Sequence, residues 1–287
     1  MALAVSARPW AERRRRVAEL RVRQGFARQL LDFYGALLGV QEKAFLDAGS
    51  DMPPPSQLAA YVAELVVPRV VDVSVTAGPE RLRSQVLDLL EKNDPLEIVE
   101  RWIANGEQPL VDRFLARASL GPVLEGLDSR AKAACSGPRD ARHCPECGGP
   151  PQLSFFAAAN EDLATGPRYL SCARCGTNWT FARMTCAGCG EDGGAKLPIF
   201  SEHGTTSGER GSIVRGLPGG APAAQHPAVF PHIRIEACST CKTYLLNIDM
   251  ATEPRAVPVV DELAAIPLDL YARDRGFTKI TPNLLGF

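Results

Sequence analysis

Cysteine is missing from the chain until Cys135, and a run of about 18 apolar residues is missing from all of its 287 residues. The second absence leaves no segment expected to cross a membrane. Charge of one sign is also lacking. Lys and Arg number 32 against 33 Asp and Glu, a net charge of -1, so no overall field draws in a polyanion and nucleic acid is not an expected partner. Catalytic signatures are absent too: there is no G-x-S-x-G, no G-x-x-x-x-G-K-[ST], no H-E-x-x-H, and no G-x-G-x-x-G after a strand. The "GLPGG" at Gly216–Gly220 has neither a lysine nor a following helix to cradle a phosphate. Histidine is scarce. Of His143, His203, His226 and His232, none has a metal-ligand or triad spacing, although His143 abuts Cys144 and could donate a hydrogen bond to a thiolate. These absences leave catalytic residues unassigned and point away from an enzyme.

The stretch after the basic run Arg13–Arg16 excludes an export signal. It reads "VAELRVRQGFARQLL" and carries Glu19, Arg21, Arg23 and Arg28 where such a signal needs an uncharged apolar segment. A cytoplasmic protein is expected. In that reducing compartment closely spaced thiols read as metal ligands or redox groups rather than disulfides.

From Cys135 onward the chain holds all 9 of its cysteines, and eight of them form C-x-x-C pairs: Cys144/Cys147, Cys172/Cys175, Cys186/Cys189 and Cys238/Cys241. This shift marks a domain boundary, with residues 135–143 as a linker and Cys135 as an incidental thiol. Residues 1–134 read as all helix. Val17, Leu20, Ala27, Leu30, Leu31, Tyr34, Leu37 and Leu38 keep helical spacing through one element from Trp10 to about Asp47, with the arginines on its solvated face. Ser56 is placed to cap a second helix, and Pro79 to begin a third. Asp94, Pro95 and Glu97 form a helix-start signature ahead of Ile98, Val99 and Trp102. A further helix from Pro109 would bury Leu110, Phe114 and Leu115.

Beyond the boundary, short β-prone segments such as "QLSFF", "RYLSC", "NWTFARM", "IRIEAC" and "YLLNID" alternate with glycine-rich turns and run into or out of the pairs. The fold class expected is α+β: the helical domain, then two small rubredoxin-like or zinc-ribbon-like β modules, each built on two C-x-x-C knuckles. A first module spans 144–183, a second 184–250, and a C-terminal extension with a short helix spans 251–287. Gly148, Gly176 and Gly190 follow the second cysteine of three pairs, where a glycine relieves backbone crowding. Lys242 takes that place in the fourth, which reads as a tighter or more electropositive turn.

Four thiolates per metal make two complete sites. Neighbouring pairs give Cys144, Cys147, Cys172 and Cys175 for one, and Cys186, Cys189, Cys238 and Cys241 for the other. Interleaved pairing is the competing topology. The insertion between the last two pairs, residues 202–227, has a loose-loop composition and adds little closure entropy. Thioredoxin-type dithiols fit poorly, because that chemistry uses one pair at a helix N-terminus. Two metal ions per chain are expected, and four thiolates suit iron and zinc alike. With every ligand position filled, the sites have no vacancy for substrate.

The order "CPECGGPP…RYLSCARCGTNWTFARMTCAGCG…IRIEACSTCKTYLLNID", followed by "VPVVDELAAIPLDLYARDRGFTK" and "TPNLLGF", resembles the FdhE-type formate dehydrogenase accessory proteins over roughly residues 140–287. The resemblance implies a cytoplasmic maturation factor with a helical N-terminal domain and two rubredoxin-like modules that hold iron through the eight paired cysteines. It also implies association with the catalytic subunit of a molybdenum- or tungsten-dependent formate dehydrogenase, and homo-oligomers. The long loop from Glu202 to Pro231 departs from the family pattern. Trp179, Phe181, Arg183 and Met184 between the modules read either as a partner surface or as core, with core favoured because strand alternation sends Trp179 and Phe181 to one face. Two other functions compete. An iron-based electron carrier or redox sensor would need a reversible one-electron couple. A zinc-ribbon nucleic-acid binder would need a clustered basic surface, whereas Glu161, Asp162, Glu191, Asp192, Glu202 and Glu209 are mixed among the arginines.

Overall fold

A computed structural model describes residues 8–157, 166–202 and 228–287. Glu161, Asp162, His203, Glu209, Gly216–Gly220 and His226, with nearly all of the expected loop insertion, lie outside the described residues. The chain divides into two compact units. One runs to Pro150 and adds Cys172–Asn178 and Asn283–Gly286; the other comprises Pro151–Ser171 and Trp179–Pro282, with Phe287.

The first unit is helical. The single helix expected from Trp10 to about Asp47 is two, α1 (Arg8–Arg23) and α2 (Arg28–Asp51), parted by a 3-10 turn at Gly25–Ala27. Gln24 leaves the helical region there (φ -123°, ψ 76°), just before a glycine that only weakly favours continuing the helix. The periodicity survives the break because the apolar stripes of both helices bury together: Trp10, Val17 and Leu20 from α1, and Leu31, Leu37, Leu38 and Phe45 from α2.

The second helical stretch is also segmented. A 3-10 turn at Pro55–Gln57 leads into α3 (Leu58–Tyr61), a π turn at Val62–Val66 and α4 (Val67–Ala77). Ser56 does not cap it; Pro54 and Gln57 precede its parts without side-chain capping bonds. Pro68 follows the widened turn, consistent with a residue that cannot donate to the helix ladder.

Helix α5 (Glu80–Leu90) follows Pro79, and α6 (Pro95–Ile103) is capped as the sequence predicts, Asp94 Oδ1 accepting from the Leu96 amide at 2.8 Å. Helix α7 (Leu110–Gly126) is buried on nearly every side by small residues, including Ala116, Ala118 and Ser119, together with Phe114, Leu115, Leu120 and Val123. Leu110, expected in the core, is exposed. Pro122 inside α7 cannot donate to the carbonyl one turn earlier, that of Ala118, and Gln41 Nε2 of α2 supplies the missing donor at 3.1 Å. Asp128 caps a short α8 (Ser129–Ala133) that leads to the cysteine region.

The β strands form one sheet rather than two separate modules. They are β1 (Pro151–Phe156), β2 (Arg168–Cys172), β3 (Asn178–Thr180), β4 (Ile199–Ser201), β5 (Ile233–Ala237), β6 (Thr243–Asp249) and β7 (Thr278–Lys279), in the order β3-β2-β1-β6-β5-β4 with β7 also on β6. The join is a parallel pairing of β1 with β6, Phe155 opposite Ile248. Strand β6 is antiparallel to β5, with Ile235 opposite Leu246.

Alternation along β6 builds two cores. Tyr244, Leu246 and Ile248 join Leu153, Ile233 and Ile235 under α9 (Pro258–Ala264) and α10 (Ile266–Asp274), with Ala265, Leu268 and Ala272 supplied from the helical side. Leu245, on the other face, packs with Leu170, Ala187, Trp179, Phe181 and Ile280. Trp179 and Phe181 therefore contribute to core, while Met184 is 56% exposed. Residues after 250 are an integral part of this unit, two helices and a strand where one short helix is expected.

Candidate metal centres

Three of the C-x-x-C turns end a strand or lead into one, the Cys186/Cys189 turn lies between β3 and β4, and all four repeat one local geometry. The first cysteine's carbonyl accepts from the amide four residues on: Gly148 to Cys144 at 2.9 Å, Gly176 to Cys172 at 3.2 Å, Gly190 to Cys186 at 2.9 Å and Lys242 to Cys238 at 2.9 Å. The first cysteine's own amide donates to the carbonyl five residues on, that of Gly149, Thr177, Glu191 or Thr243. Closing such a turn needs a left-handed residue after the second cysteine. Gly148, Gly176 and Gly190 have φ of 69°, 68° and 83°, and Lys242 adopts 59°. The fourth turn is thus the same turn, neither tighter nor otherwise distinct.

The turns bring the eight sulfurs into two groups, in sequence order rather than interleaved. Cys144, Cys147, Cys172 and Cys175 form one cluster and Cys186, Cys189, Cys238 and Cys241 the other, with all sulfurs of a cluster within 4.8 Å of one another. Within the first, Cys144 lies 3.6 Å from Cys175 and Cys147 3.4 Å from Cys172; in the second, Cys186–Cys241 and Cys189–Cys238 are both 3.7 Å. A metal–sulfur bond of about 2.3 Å sets the edge of a sulfur tetrahedron near 3.8 Å, close to these distances, so both clusters suit a metal ion. Amide groups face the sulfurs as well: Gly149, Arg174 and Gly188 each donate at 3.3 Å, to Cys147, Cys172 and Cys186. A Cβ on Gly149 would stand 2.8 Å from the Cys172 sulfur, so only glycine allows that approach.

Sequence reasoning missed the groups that surround the ligands. Thr177 Oγ1 lies 3.3 Å from the Cys175 sulfur and Thr243 Oγ1 3.0 Å from that of Cys241. Their shared signal is legible, a threonine two residues after the second cysteine of pairs two and four. Around the first cluster Arg174 donates to the carbonyls of Cys147 (2.9 Å) and Ser136 (2.8 Å) and to Asn105 Oδ1 (2.7 Å), and Lys132 pairs with Glu146 at 2.8 Å. Both cations offset the negative charge that four thiolates bring to a divalent ion. Near the second cluster Glu191 accepts from Thr240 at 2.7 Å and Lys196 at 3.1 Å; Thr240, the Gly193 amide and Lys196 hold its carboxyl down at about 2.

Packing sulfurs together splits their proton affinities. Donation from Cys147, Cys172 and Cys175 holds Cys144 well below the ordinary thiol range, while burial pushes Cys172 well above it. In the second cluster burial pushes Cys186 up to about 12. Burial opposes the same group's ionisation at Cys241, yet the Thr243 hydroxyl and amide prevail and hold that thiol down to about 7.

The remaining candidates fall outside. Cys135 is buried and belongs to neither cluster, and burial raises its thiol, the state of an inert cysteine. His143 turns to Asp140 (Nδ1–Oδ1 2.7 Å) rather than to a thiolate. His232 is buried with Nε2 2.8 Å from Asp261 Oδ1. Among the described residues no helix is long and apolar enough to cross a membrane.

The cysteine order is shared with known proteins. Residues 143–183 match the family described as "FdhE, central domain" and residues 222–285 the family described as "FdhE, C-terminal domain". Proteins named "Protein FdhE homolog" are similar. That of Aquifex aeolicus is 28% identical over 73% of this chain and 65% of its own length, and that of Pseudomonas aeruginosa 32% identical over 50% and 38%. The chain thus spans less than two thirds of both these relatives. The Shewanella oneidensis homologue is 30% identical over 80% of this chain and 69% of its own. The crystal structure of the FdhE protein from Pseudomonas aeruginosa has the same fold, with a TM-score of 0.65 over 99% of this chain and 97% of that one at 20% identity. On the matched domains, the Shewanella alignment and the shared fold, the chain belongs to the FdhE family.

Proposed function

We propose that this chain is a formate dehydrogenase accessory factor that holds two metal ions through its eight paired cysteines and binds the dehydrogenase catalytic subunit in the cytoplasm before assembly into active enzyme. The observation that carries the metal part is the pair of sulfur tetrahedra, each with four ligands from the chain itself. Such a site has no position for a substrate or an attacking water, so it serves to hold structure or to pass single electrons rather than to catalyse hydrolysis. Family membership supports the accessory role, and iron is the metal that role favours. What the protein supplies is a set of thiolates, amide donors and flanking cations; the metal, when bound, ties the knuckles together and, as iron, adds a one-electron couple.

The test is recovery of the full-length tagged chain from its own cells under anaerobic conditions, with metal content and co-purifying proteins measured on one sample. Two metals per chain and a molybdenum- or tungsten-dependent formate dehydrogenase catalytic subunit are expected, as is loss of formate oxidation in cells lacking the chain. Unchanged formate oxidation in those cells, with no subunit recovered, would overturn the accessory role.

A further inference from the structure

The two clusters differ in what surrounds their sulfurs. In the first, all four cysteines are buried, with exposures of 0%, 0%, 4% and 1% for Cys144, Cys147, Cys172 and Cys175. Arg174, itself 1% exposed, clamps two carbonyls around that cluster. In the second, Cys186 and Cys238 are buried, but Cys189 is exposed and Cys241 half-exposed. These two residues mark one open side of that cluster, although buried Arg168 donates to the carbonyls of Ala182 (2.7 Å) and Thr185 (3.1 Å), the latter next to Cys186.

A four-coordinate thiolate site exchanges its metal most readily when an incoming ligand can reach the ion before an old bond has broken, which requires an open side. We propose that the second cluster is the exchangeable site of this protein, where metal is gained and given up to a thiolate ligand through the Cys189–Cys241 side, while the first is a fixed structural site. This rests on the reading that both clusters hold metal. In each exchange an incoming thiolate would form one bond to the metal as one cysteine bond breaks, at Cys189 first and then at the other three ligands, so that four exchanges would complete the transfer, and each released thiolate would take a proton from water. The metal keeps its oxidation state, and loading is the reverse. The hydroxyl of Thr243, 3.0 Å from the Cys241 sulfur, steadies the neighbouring ligand during that exchange.

The experiment uses the full chain loaded with zinc and challenged with excess 2,3-dimercaptopropanesulfonate. Residual zinc is followed with time, and newly freed thiols are tagged with N-ethylmaleimide and located by mass spectrometry. Loss of one of the two equivalents in a fast phase that depends on dithiolate concentration is expected, with tags on Cys189 and Cys241 first and on Cys144, Cys147, Cys172 and Cys175 only in the slow phase. Thr243→Val should speed the fast phase by about tenfold and leave the slow phase unchanged. Cys189→Ser should retain one tightly held zinc. Loss of both equivalents in a single phase, or first tagging in the Cys144–Cys175 cluster, overturns the proposal, as does a Cys189→Ser chain that sheds both metals. A chain that takes up no zinc overturns the metal reading itself, whereas failure to recover a dehydrogenase bears only on the accessory role.

Discussion

Lys242 and Gly190 occupy equivalent places in two knuckles of the same cluster, and the physics of a left-handed residue assigns them opposite responses. A side chain at such a φ costs about 1–2 kcal/mol, part of which glycine returns through its greater freedom when unfolded. Lys242→Gly should therefore leave the metal-loaded protein equally stable or raise its stability by up to about 1 kcal/mol. A Cβ on Gly190 would meet nothing within 4 Å, so Gly190→Ala should carry the backbone cost alone, roughly 1–2 kcal/mol. Thermal melts of the two zinc-loaded variants check this, and shifts of the same sign would mean that the turns are not equivalent. The cysteine spacing announces the four turns, but the identity of the residue after each pair misleads at Lys242, because the cluster fixes the backbone and lysine tolerates it. The outer groups Thr177 and Thr243 are written in the sequence as a repeated offset, whereas Arg174 and Lys132 have no local signal, since their roles come from long-range contacts.

Between elements, the proline inside α7 provides a test of how a broken hydrogen bond is repaired. Gln41 donates to the Ala118 carbonyl that Pro122 leaves without a helical partner. Gln41→Ala should strand that buried acceptor and cost about 1–3 kcal/mol, but much less when Pro122→Ala restores the backbone donor. Denaturant melts of the two single variants and the double variant measure the coupling, and additive losses would sink the repair. A second junction is charged. Lys279 of β7 sits 2.8 Å from Glu262 of α9 and 3.0 Å from Asp269 of α10, all within the buried interior, where Gln152 donates to Glu262 and Tyr244 to Asp269 at 2.8 Å. Removing the cation as Lys279→Met leaves two buried carboxylates and should cost about 3–5 kcal/mol at neutral pH. Burial already raises Glu262 above its ordinary 4.5 despite Lys279. A raised carboxyl contributes stability below its unfolded value and loses it as pH rises through the folded value, so the deficit of the variant should shrink on acidification. A deficit that stays constant from about pH 4 to pH 8 would contradict this account. Periodicity identifies the apolar faces of these elements, including the pairing of Trp179 with Phe181, but it cannot name partners. The β1–β6 join and the α9–α10–β7 charge cluster depend on contacts set by the folded chain, and spacing within one strand or helix carries no information about them.

Across the whole molecule, the two cysteine clusters and the two compact units correspond one to one. The cluster of Cys144, Cys147, Cys172 and Cys175 lies wholly within the first unit, and that of Cys186, Cys189, Cys238 and Cys241 within the second. This assignment of ligands to units is half legible in the sequence. The spacing leads neighbouring pairs to combine, but it does not reveal that Cys172–Asn178 belongs with the helices, because only the fold returns that segment to them. Metal binding to thiolate sites contributes folding free energy, on the order of 10–16 kcal/mol for small structural zinc sites at neutral pH, so emptying a cluster should act mainly on its own unit. Calorimetry of the zinc-loaded chain is expected to show a transition lowered selectively in Cys144→Ser/Cys147→Ser and a different one lowered in Cys186→Ser/Cys189→Ser. Acid should act through the same chemistry. Each ligand must be deprotonated, so lowering the pH sets protons against metal, and the stabilisation present at neutral pH is lost as the thiolates are titrated. Zinc content and circular dichroism followed together from about pH 8 to pH 3 should fall in parallel, the zinc leading. Retention of full helical and β signal after both zincs have left would show that the sulfur tetrahedra do not hold the fold together, and would leave their metals with a functional role alone.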